Sequence, residues 1–193
     1  AEHNVVLDRL TVSVGILANR NTALNDSFRF YPGIDISFRP NDYWKLYASW
    51  DKALRVPTYT DLYISNAIQQ GDKALRPEKN DTYRIGLRYR HNGIEAVTSG
   101  FYSDGTDMID WVYEQENSTK YHAMNIGELD NIGFNADMTL SLPELMNNRQ
   151  FPITRIKVGY AYIHQRHETD KPIFKSLYAL EYLRHKFVAQ VDQ

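Results

Sequence analysis

The sequence contains no cysteine, which excludes disulfides, thiolate metal sites and thiol chemistry. It has no run of about 18 apolar residues, so it encodes no transmembrane helix. Its 22 Lys and Arg residues nearly balance its 24 Asp and Glu residues without forming a block, which argues against a nucleic-acid partner. Phosphate-binding loops, dinucleotide fingerprints and the motif Gly-x-Ser-x-Gly are also missing, so the motifs indicate neither an enzyme nor a cofactor.

Alternation of apolar and polar residues recurs along the chain and predicts β-strands with two different faces. In YWKLYASWD (43–51), for example, the even-numbered residues are apolar and the odd-numbered ones are polar or tyrosine. The other segments of this kind are residues 8–17, 33–40, 82–90, 94–113, 131–140, 153–163 and 186–192. A helical period is visible only in the short stretch 175–183. The sequence therefore predicts an all-β fold of about eight antiparallel strands.

Short and long connections alternate between these segments. Pro, Asn and Gly mark the short ones as turns, namely residues 39–42, 90–93 and 141–152. The longer ones, which would lie at the opposite ends of the strands, are residues 18–27, 52–80, 114–120 and 164–185. Short turns at one edge and long loops at the other are typical of an up-and-down outer-membrane β-barrel. A soluble β-sandwich that binds glycans through exposed aromatic rings remains open at this point.

The connection KALRVPTYTDLYISNAIQQGDKALRPEKND (52–81) is far longer than a hairpin turn needs. It contains Arg55-Val56-Pro57, then Asp61-Leu62-Tyr63, then Gly71 and Leu75-Arg76-Pro77-Glu78. FYSDGTDMIDWVY (101–113) and MNIGELDNIGFNADM (124–138) follow in order. This series resembles the C-terminal β-barrel of TonB-dependent outer-membrane receptors over most of the chain, although Asp72 and Lys73 stand where that family usually has Asn and Pro.

The resemblance implies that residues 1–193 are a segment of a transmembrane β-barrel domain, without the family's plug and last strands. It implies a receptor in the outer membrane of a Gram-negative bacterium, surrounded by outer-membrane lipid. Such a receptor imports a scarce small-molecule nutrient, for example a siderophore or cobalamin, and an energy-coupling complex acts on the plug. Haem is disfavoured, because the family's haem receptors have a His between the two boxes and residues 55–75 contain none. An outer-membrane enzyme with an active site at the rim is a further alternative.

Parity along the strands places Arg55 and Glu78 on the polar face near the mouth of the barrel, close enough to pair, provided that no bulge shifts the count. We expect this pair to hold strands and loop together. The other residues of the family's structural motif are Pro57, Tyr63, Pro77, Gly127 and Gly133. Aromatic and amide side chains give adaptable contacts, and the candidate ligand-binding residues are Tyr59, Asn66, Gln69, Gln70, His164, Arg166 and His167.

Two groups of potential metal ligands occur, and we predict no metal site at either. His164 and His167 point to opposite faces of an extended chain, and the zinc motif His-Glu-x-x-His is absent. Asp104, Asp107 and Asp110 lack the ligand spacing of a calcium-binding loop. The stretch SDGTD (103–107) instead predicts a turn or bulge with Gly105 at a positive φ.

Overall fold

The computed structural model describes residues 1–20, 28–148, 151–168, 173–177 and 183–193. Its elements are, in chain order, β1 (Glu2–Leu7), β2 (Leu10–Arg20), β3 (Phe28–Phe38), β4 (Trp44–Arg55), α1 (Tyr59–Tyr63), β5 (Gln69–Gln70), β6 (Glu78–His91), β7 (Ile94–Thr106), β8 (Ile109–Tyr113), β9 (Tyr121–Asn125), β10 (Glu128–Ser141), α2 (Leu142–Leu145), β11 (Arg155–Glu168), β12 (Lys175–Ser176) and β13 (His185–Asp192). Nine strands form one antiparallel sheet in the order β1-β2-β3-β4-β6-β7-β10-β11-β13. Each neighbour in this sheet is also the next of the nine in sequence, as in an up-and-down meander.

The register of the large sheet puts apolar side chains beside apolar side chains from strand to strand. Trp44 lies opposite Tyr89, and Leu46 lies opposite Leu87. Because side chains alternate in direction along a strand, this pairing gathers the apolar residues of neighbouring strands on one side of the sheet. We call this side the apolar face and the opposite side the polar face.

In the described part of the chain, no second layer of protein covers the apolar face. Ile36 is 40% exposed, Leu46 is 45% exposed and Ile85 is 69% exposed. A soluble β-sandwich would bury these positions, together with Ile34 and Leu87, against a second sheet. The alternative of a glycan-binding sandwich is therefore not supported.

A row of aromatic rings crosses the apolar face near the edge with the long connections. Trp50 stacks on Tyr83 with ring centroids 6.5 Å apart, and Tyr83 stacks on Tyr102 at 6.4 Å. The next positions toward that edge form a charged row, which consists of Lys52, Asp81, Asp104, Asp130 and Arg166 on neighbouring strands. The change from rings to charges marks one boundary of the apolar face.

A second set of rings marks the boundary near the short turns. Trp44 contacts Tyr89 with centroids 4.6 Å apart, and Tyr43 contacts His91 at 4.1 Å. Trp50 lies six positions after Trp44 along β4, a rise of about 20 Å. Aromatic rings at both borders of an apolar band are the arrangement that transmembrane barrels show.

The element boundaries differ from the sequence-based prediction at several places. The large sheet has nine strands rather than about eight, because β1 pairs with β2 although its alternation is short. Residues 94–113 divide into β7 and β8, and the residue with a positive φ between them is Asp107 at 56°, not Gly105. Lys175–Ser176, which the helical period covered, is a strand, while residues 178–182 lie outside the described residues. No helix in the described part of the chain is long and apolar enough to cross a membrane.

Gly133 allows two strands and an aromatic ring to meet on the polar face. A Cβ at this position would lie 2.5 Å from the Tyr162 carbonyl oxygen and 2.8 Å from the ring of Phe101. Real Cβ atoms do not approach other heavy atoms so closely, so a side chain there would force the backbone or the ring to move. Glycine is thus required by the close approach and not by its backbone angles.

We predict that Gly133→Ala destabilises the barrel by about 1–3 kcal/mol, the usual cost of overpacking. Gly15→Ala is the matched control, because a Cβ on Gly15 meets nothing within 4 Å. The measurement is the urea unfolding midpoint of the full-length protein in detergent. Equal midpoints for the two variants would show that the Phe101 ring and the Tyr162 backbone can move without lowering the free energy of unfolding.

Candidate functional site: the loop assembly

Three of the long connections fold together at one edge of the large sheet. They contribute the strands of a second sheet of four strands, whose order is β12-β8-β9-β5. β5 comes from the connection after β4, β8 and β9 from the one after β7, and β12 from the one after β11. We call residues 56–77, 107–127 and 173–177 of these connections the loop assembly.

The loop assembly contains every buried hydrophobic residue of the described chain. Its first cluster consists of Leu75, Ile109, Trp111 and Ala123, against which Leu62, Ile64 and Tyr121 pack. Its second cluster consists of Val112 and Ile126 with Met108, Met124 and Ile173. Full burial of a Val, Leu or Ile side chain contributes about 1.5–3 kcal/mol to the free energy of folding. The long connections are therefore a packed unit with a hydrophobic core of its own.

The ion pair between Arg55 and Glu78 joins the loop assembly to the large sheet. These residues lie directly opposite each other at the ends of β4 and β6. The Arg55 Nε and Nη2 atoms donate to the two carboxylate oxygens of Glu78, each at 2.5 Å. Glu78 is only 7% exposed, and its Oε1 also accepts a hydrogen bond of 2.8 Å from the backbone N–H of Ile109. The predicted pairing on the polar face is confirmed.

A second buried carboxylate, that of Asp61, extends this network into α1. Thr58 and Asp61 form a capping box, in which Thr58 Oγ1 accepts from the Asp61 N–H and Asp61 Oδ2 accepts from the Thr58 N–H. Asp61 Oδ2 also lies 3.5 Å from Arg55 Nη1. The hydrogen bonds to Glu78 raise the pKa of the Arg55 guanidinium, which lies beyond the aromatic row, despite its partial burial. Arg55 therefore remains charged between two carboxylates.

The two prolines of the motif lie at the ends of the same connection. Pro57 and Pro77 are both buried. Each lacks an N–H and has a fixed φ, which suits a residue where the chain leaves or rejoins a strand ladder.

Tyr63 is the last residue of α1. Its ring contacts that of Tyr59 with centroids 4.7 Å apart, and the Lys73 ammonium lies 5.2 Å from the centre of the Tyr63 ring.

Asn125 fixes the first two connections to each other, a role that sequence reasoning missed. Its Oδ1 accepts from the Arg76 N–H at 2.9 Å, and its Nδ2 donates to the Arg76 and Asp107 carbonyl oxygens at 2.9 and 2.5 Å. The Arg76 guanidinium also pairs with Asp107 at 2.6 Å.

Gly127, two residues after Asn125, has a φ of 99°, a backbone angle that favours glycine.

Asp110 connects the third connection to the second, in which it lies. It is 1% exposed, and its Oδ1 accepts from the Trp111 N–H at 2.6 Å. Its Oδ2 accepts from the Ser176 hydroxyl, and Ser176 pairs with Val112 in the ladder between β12 and β8. Asp110 is thus a structural acceptor, and the described residues contain no group of three or more His, Cys, Asp or Glu that could hold a metal ion.

The candidate ligand residues of the first connection differ in how free their side chains are. Tyr59 is 79% exposed. The Asn66 side chain accepts from the N–H groups of Ile68 and Gln69, at 2.9 and 2.7 Å, and so stabilises a turn. Gln69 and Gln70 form β5, which pairs with β9 in parallel, and the Gln70 amide bonds Ser65 and Gly71. Tyr59 and Asn66 are thus exposed, whereas Gln69 and Gln70 are half-buried.

The candidates at the end of β11 lie outside the loop assembly. His164 and Arg166 point outward on the apolar side of the sheet, opposite Ile132 and Asp130. His167 lies on the other parity, opposite Leu129, and so points to the polar face. His167 therefore lies on the opposite face of the sheet from His164 and Arg166.

A polar cleft of about 470 Å³ lies between the first two connections. Gln70, Asp72 and Arg76 line one wall, and Glu114, His122 and Met124 line the other. The imidazole of His122 lies 3.7 Å from a Glu114 carboxylate oxygen. Sequence reasoning did not select Glu114 or His122. They meet across the antiparallel pair β8–β9, and the first connection reaches them only through the parallel pairing of β5 with β9.

Strand lengths, the two aromatic borders and the folded connections at one edge define a segment of an outer-membrane type of β-barrel. The family model "TonB dependent receptor-like, beta-barrel" matches residues 1–189. The chain belongs to this family, whose members are receptors and transporters rather than enzymes. No curated protein matches the chain.

Solved structures of receptors and transporters share the fold. The siderophore receptor PirA from Pseudomonas aeruginosa is 16% identical with a TM-score of 0.68, and the match covers 85% of this chain and 30% of that one. The FrpB iron transporter from Neisseria meningitidis is 20% identical with a TM-score of 0.64, covering 89% and 26%. The copper transporter OprC is 18% identical with a TM-score of 0.65, covering 88% and 28%. The chain spans less than a third of these structures.

We predict that Glu78→Gln loosens the loop assembly. The amide has no negative charge to pair with Arg55, and it has only one oxygen in place of the two that accept hydrogen bonds from Arg55 and Ile109. Hydrogen bonds to charged groups contribute about 1.5–3 kcal/mol, so amide hydrogen exchange in residues 107–127 should rise by about tenfold or more. Glu116→Gln, an exposed carboxylate in the same connection, is the control. The assigned role of Glu78 fails if both variants exchange at the wild-type rate.

Proposed function

We propose that the chain is part of an outer-membrane receptor of a Gram-negative bacterium that binds a scarce nutrient for energy-coupled import. The nutrient is a small molecule, such as a siderophore or cobalamin. The observation that carries this proposal is the loop assembly, in which three connections form one packed body at a single edge of a barrel sheet. The siderophore, iron and copper transporters among the similar structures support the same class of transport.

In this receptor the edge with the long connections faces the outside of the cell, and the short turns face the periplasm. The apolar face contacts lipid, and the polar face lines the lumen. An energy-coupling complex acts on the plug of the receptor and thereby releases the ligand inward. Residues 1–193 contribute part of the barrel wall and part of the ligand-binding surface.

The packing of the loop assembly suits ligand capture because little conformational entropy remains to be lost on binding. Glu78, Asp61 and Asn125 hold the backbone of the connections, while Tyr59 offers an exposed ring. We propose that the ligand contacts Tyr59 and the β5 region, residues Asn66, Gln69 and Gln70. At the end of β11, His167 is the candidate whose side chain points to the lumen, and His164 and Arg166 point outward.

The test is binding of radiolabelled ligands to cells that express the full-length receptor. The panel contains ferric siderophores of different charge, cobalamin and copper. We predict that one of these binds to the wild type, and that Tyr59→Ala weakens its binding by about tenfold, a loss of ~1.4 kcal/mol that is common for a central Tyr. Tyr43→Ala is the matched control, since Tyr43 is an exposed tyrosine at the opposite edge of the sheet.

Two results would contradict the proposal. If no compound of the panel binds to the wild type, the proposed ligand class is wrong. If Tyr59→Ala and Tyr43→Ala bind the ligand equally well, Tyr59 has no part in ligand binding.

A further inference from the structure

Basic side chains predominate on the polar face between the aromatic row and the short turns. The register of β4, β6, β7, β10, β11 and β13 directs seven of them to this part of the face. We call them the basic patch, which consists of Lys45, Arg84, Arg88, Arg90, Arg155, Lys157 and Lys186. The acidic residues on the same area are Glu95, Asp137 and Asp192. Seven basic against three acidic residues leave four positive charges in excess.

Most of the basic patch has no counter-ion in the described part of the chain. Arg88 Nη2 lies 2.5 Å from Glu95 Oε1, and Lys157 Nζ lies 4.0 Å from Asp192 Oδ2. The members that form no ion pair with a described residue are Lys45, Arg84, Arg90, Arg155 and Lys186. Lys45 moreover lies directly opposite Arg88, and like charges in such a pair destabilise a sheet. The described wall therefore leaves positive charge that a second surface can compensate.

Two hollows lie between the basic side chains. One, of about 640 Å³, lies at the short-turn edge and is lined in part by Arg90, Arg155 and Lys157. The other, of about 360 Å³, is lined in part by Asp137, Lys157 and Lys186. Side chains that project from a surface facing the sheet can enter both hollows. Because basic groups surround the hollows, carboxylates are the side chains that fit them best.

The extent of the basic patch favours a protein surface over a small molecule. Six neighbouring strands span about 24 Å, and β6 rises about 20 Å from Arg84 to Arg90. The outermost charges are thus separated by more than the Debye length of about 8 Å, beyond which exposed charges are largely screened from each other. One small anion therefore cannot compensate the whole patch, whereas a protein with several carboxylates can.

The charges of the loop assembly do not favour an anionic nutrient either. Its residues 56–77, 107–127 and 173–177 include six acidic and four basic side chains. A ligand that enters past these connections meets a slight excess of negative charge. The basic patch lies farther along the strands, toward the short turns, and its charge is opposite to that of the entrance.

We propose that the basic patch holds the plug of the receptor through an acidic surface of the plug. This inference rests on the proposed function, because it takes the polar face as the wall of the lumen. Outer-membrane transporters with barrels of about 22 strands have a plugged lumen, so a protein surface faces this wall. Carboxylates of the plug enter the two hollows and pair with the basic residues that have no counter-ion on the described wall. High salt weakens these pairs.

The first experiment uses the full-length wild type in detergent and a carbodiimide, which joins a lysine amine directly to a carboxylate. Peptide mass spectrometry identifies the linked residues. We expect links from Lys45 and Lys186 to Asp or Glu residues of the plug, and about fivefold fewer in 1 M salt, where the Debye length is about 3 Å. Lys79 is the control, because it is exposed on the apolar side of the sheet. Absence of plug links at Lys45 and Lys186, or equally frequent links at Lys79, would overturn the proposal.

The second experiment reverses one charge of the patch with Lys186→Glu. Lys120→Glu is the matched control, since Lys120 also forms no ion pair with a described residue but lies in the connection after β8. The measurement is the urea concentration at which the receptor in a planar bilayer begins to conduct ions, because release of the plug opens the lumen. We expect this concentration to fall by about 0.5 M in Lys186→Glu and to stay at the wild-type value in Lys120→Glu. Equal values for all three proteins contradict the assigned role of Lys186.

The outcomes distinguish this inference from the proposed function. If no compound of the nutrient panel binds but Lys45 and Lys186 link to the plug, the nutrient proposal fails and the basic patch is supported. If a compound binds but no plug link forms, only the inference about the patch fails. If an anionic compound of the panel protects both lysines from the carbodiimide reaction, the patch belongs to the nutrient and its assignment to the plug is wrong.

Discussion

The loop assembly depends on one buried carboxylate, that of Glu78. The register of β4 and β6 places Arg55 opposite Glu78, so the carboxylate meets its counter-ion as soon as the two strands pair. Its remaining hydrogen-bonding capacity is satisfied by the Ile109 N–H at the start of β8. A buried carboxylate without partners would cost several kcal/mol. Strand pairing and docking of the second connection therefore stabilise each other, and the first two connections are fixed to the large sheet at the same point.

Side-chain alternation was sufficient to predict the large sheet and the place of this ion pair. Alternation with a period of two fixes which residues share a face, and Arg55 and Glu78 keep that parity to the last residues of β4 and β6. The same rule assigned Trp44 to the apolar parity of its strand, and the register then places it opposite Tyr89. It did not reveal β1, in which the pattern is short and becomes apparent only beside the longer β2.

The interior of the loop assembly could not be predicted because its contacts join residues that are distant in sequence. Asn125 bonds to Arg76 across 49 residues, and Ser176 bonds to Asp110 across 66. None of these side chains differs in type from the polar residues of an ordinary loop. Their partners follow from the pairing of β5 with β9 and of β12 with β8, two-residue ladders too short to leave an alternation in the sequence.

The molecule thus buries its apolar surface in two different environments. The large sheet is a single layer whose apolar side chains remain exposed to whatever surrounds the barrel, so the membrane has to supply the favourable transfer free energy. The loop assembly meets water and has to bury Trp111, Val112 and their neighbours within itself. The loop assembly is joined to the large sheet at strand ends such as Glu78. Residues within the connections can therefore change without altering the register of the large sheet. In the proposed receptor, a new ligand surface can therefore form on an unchanged barrel wall.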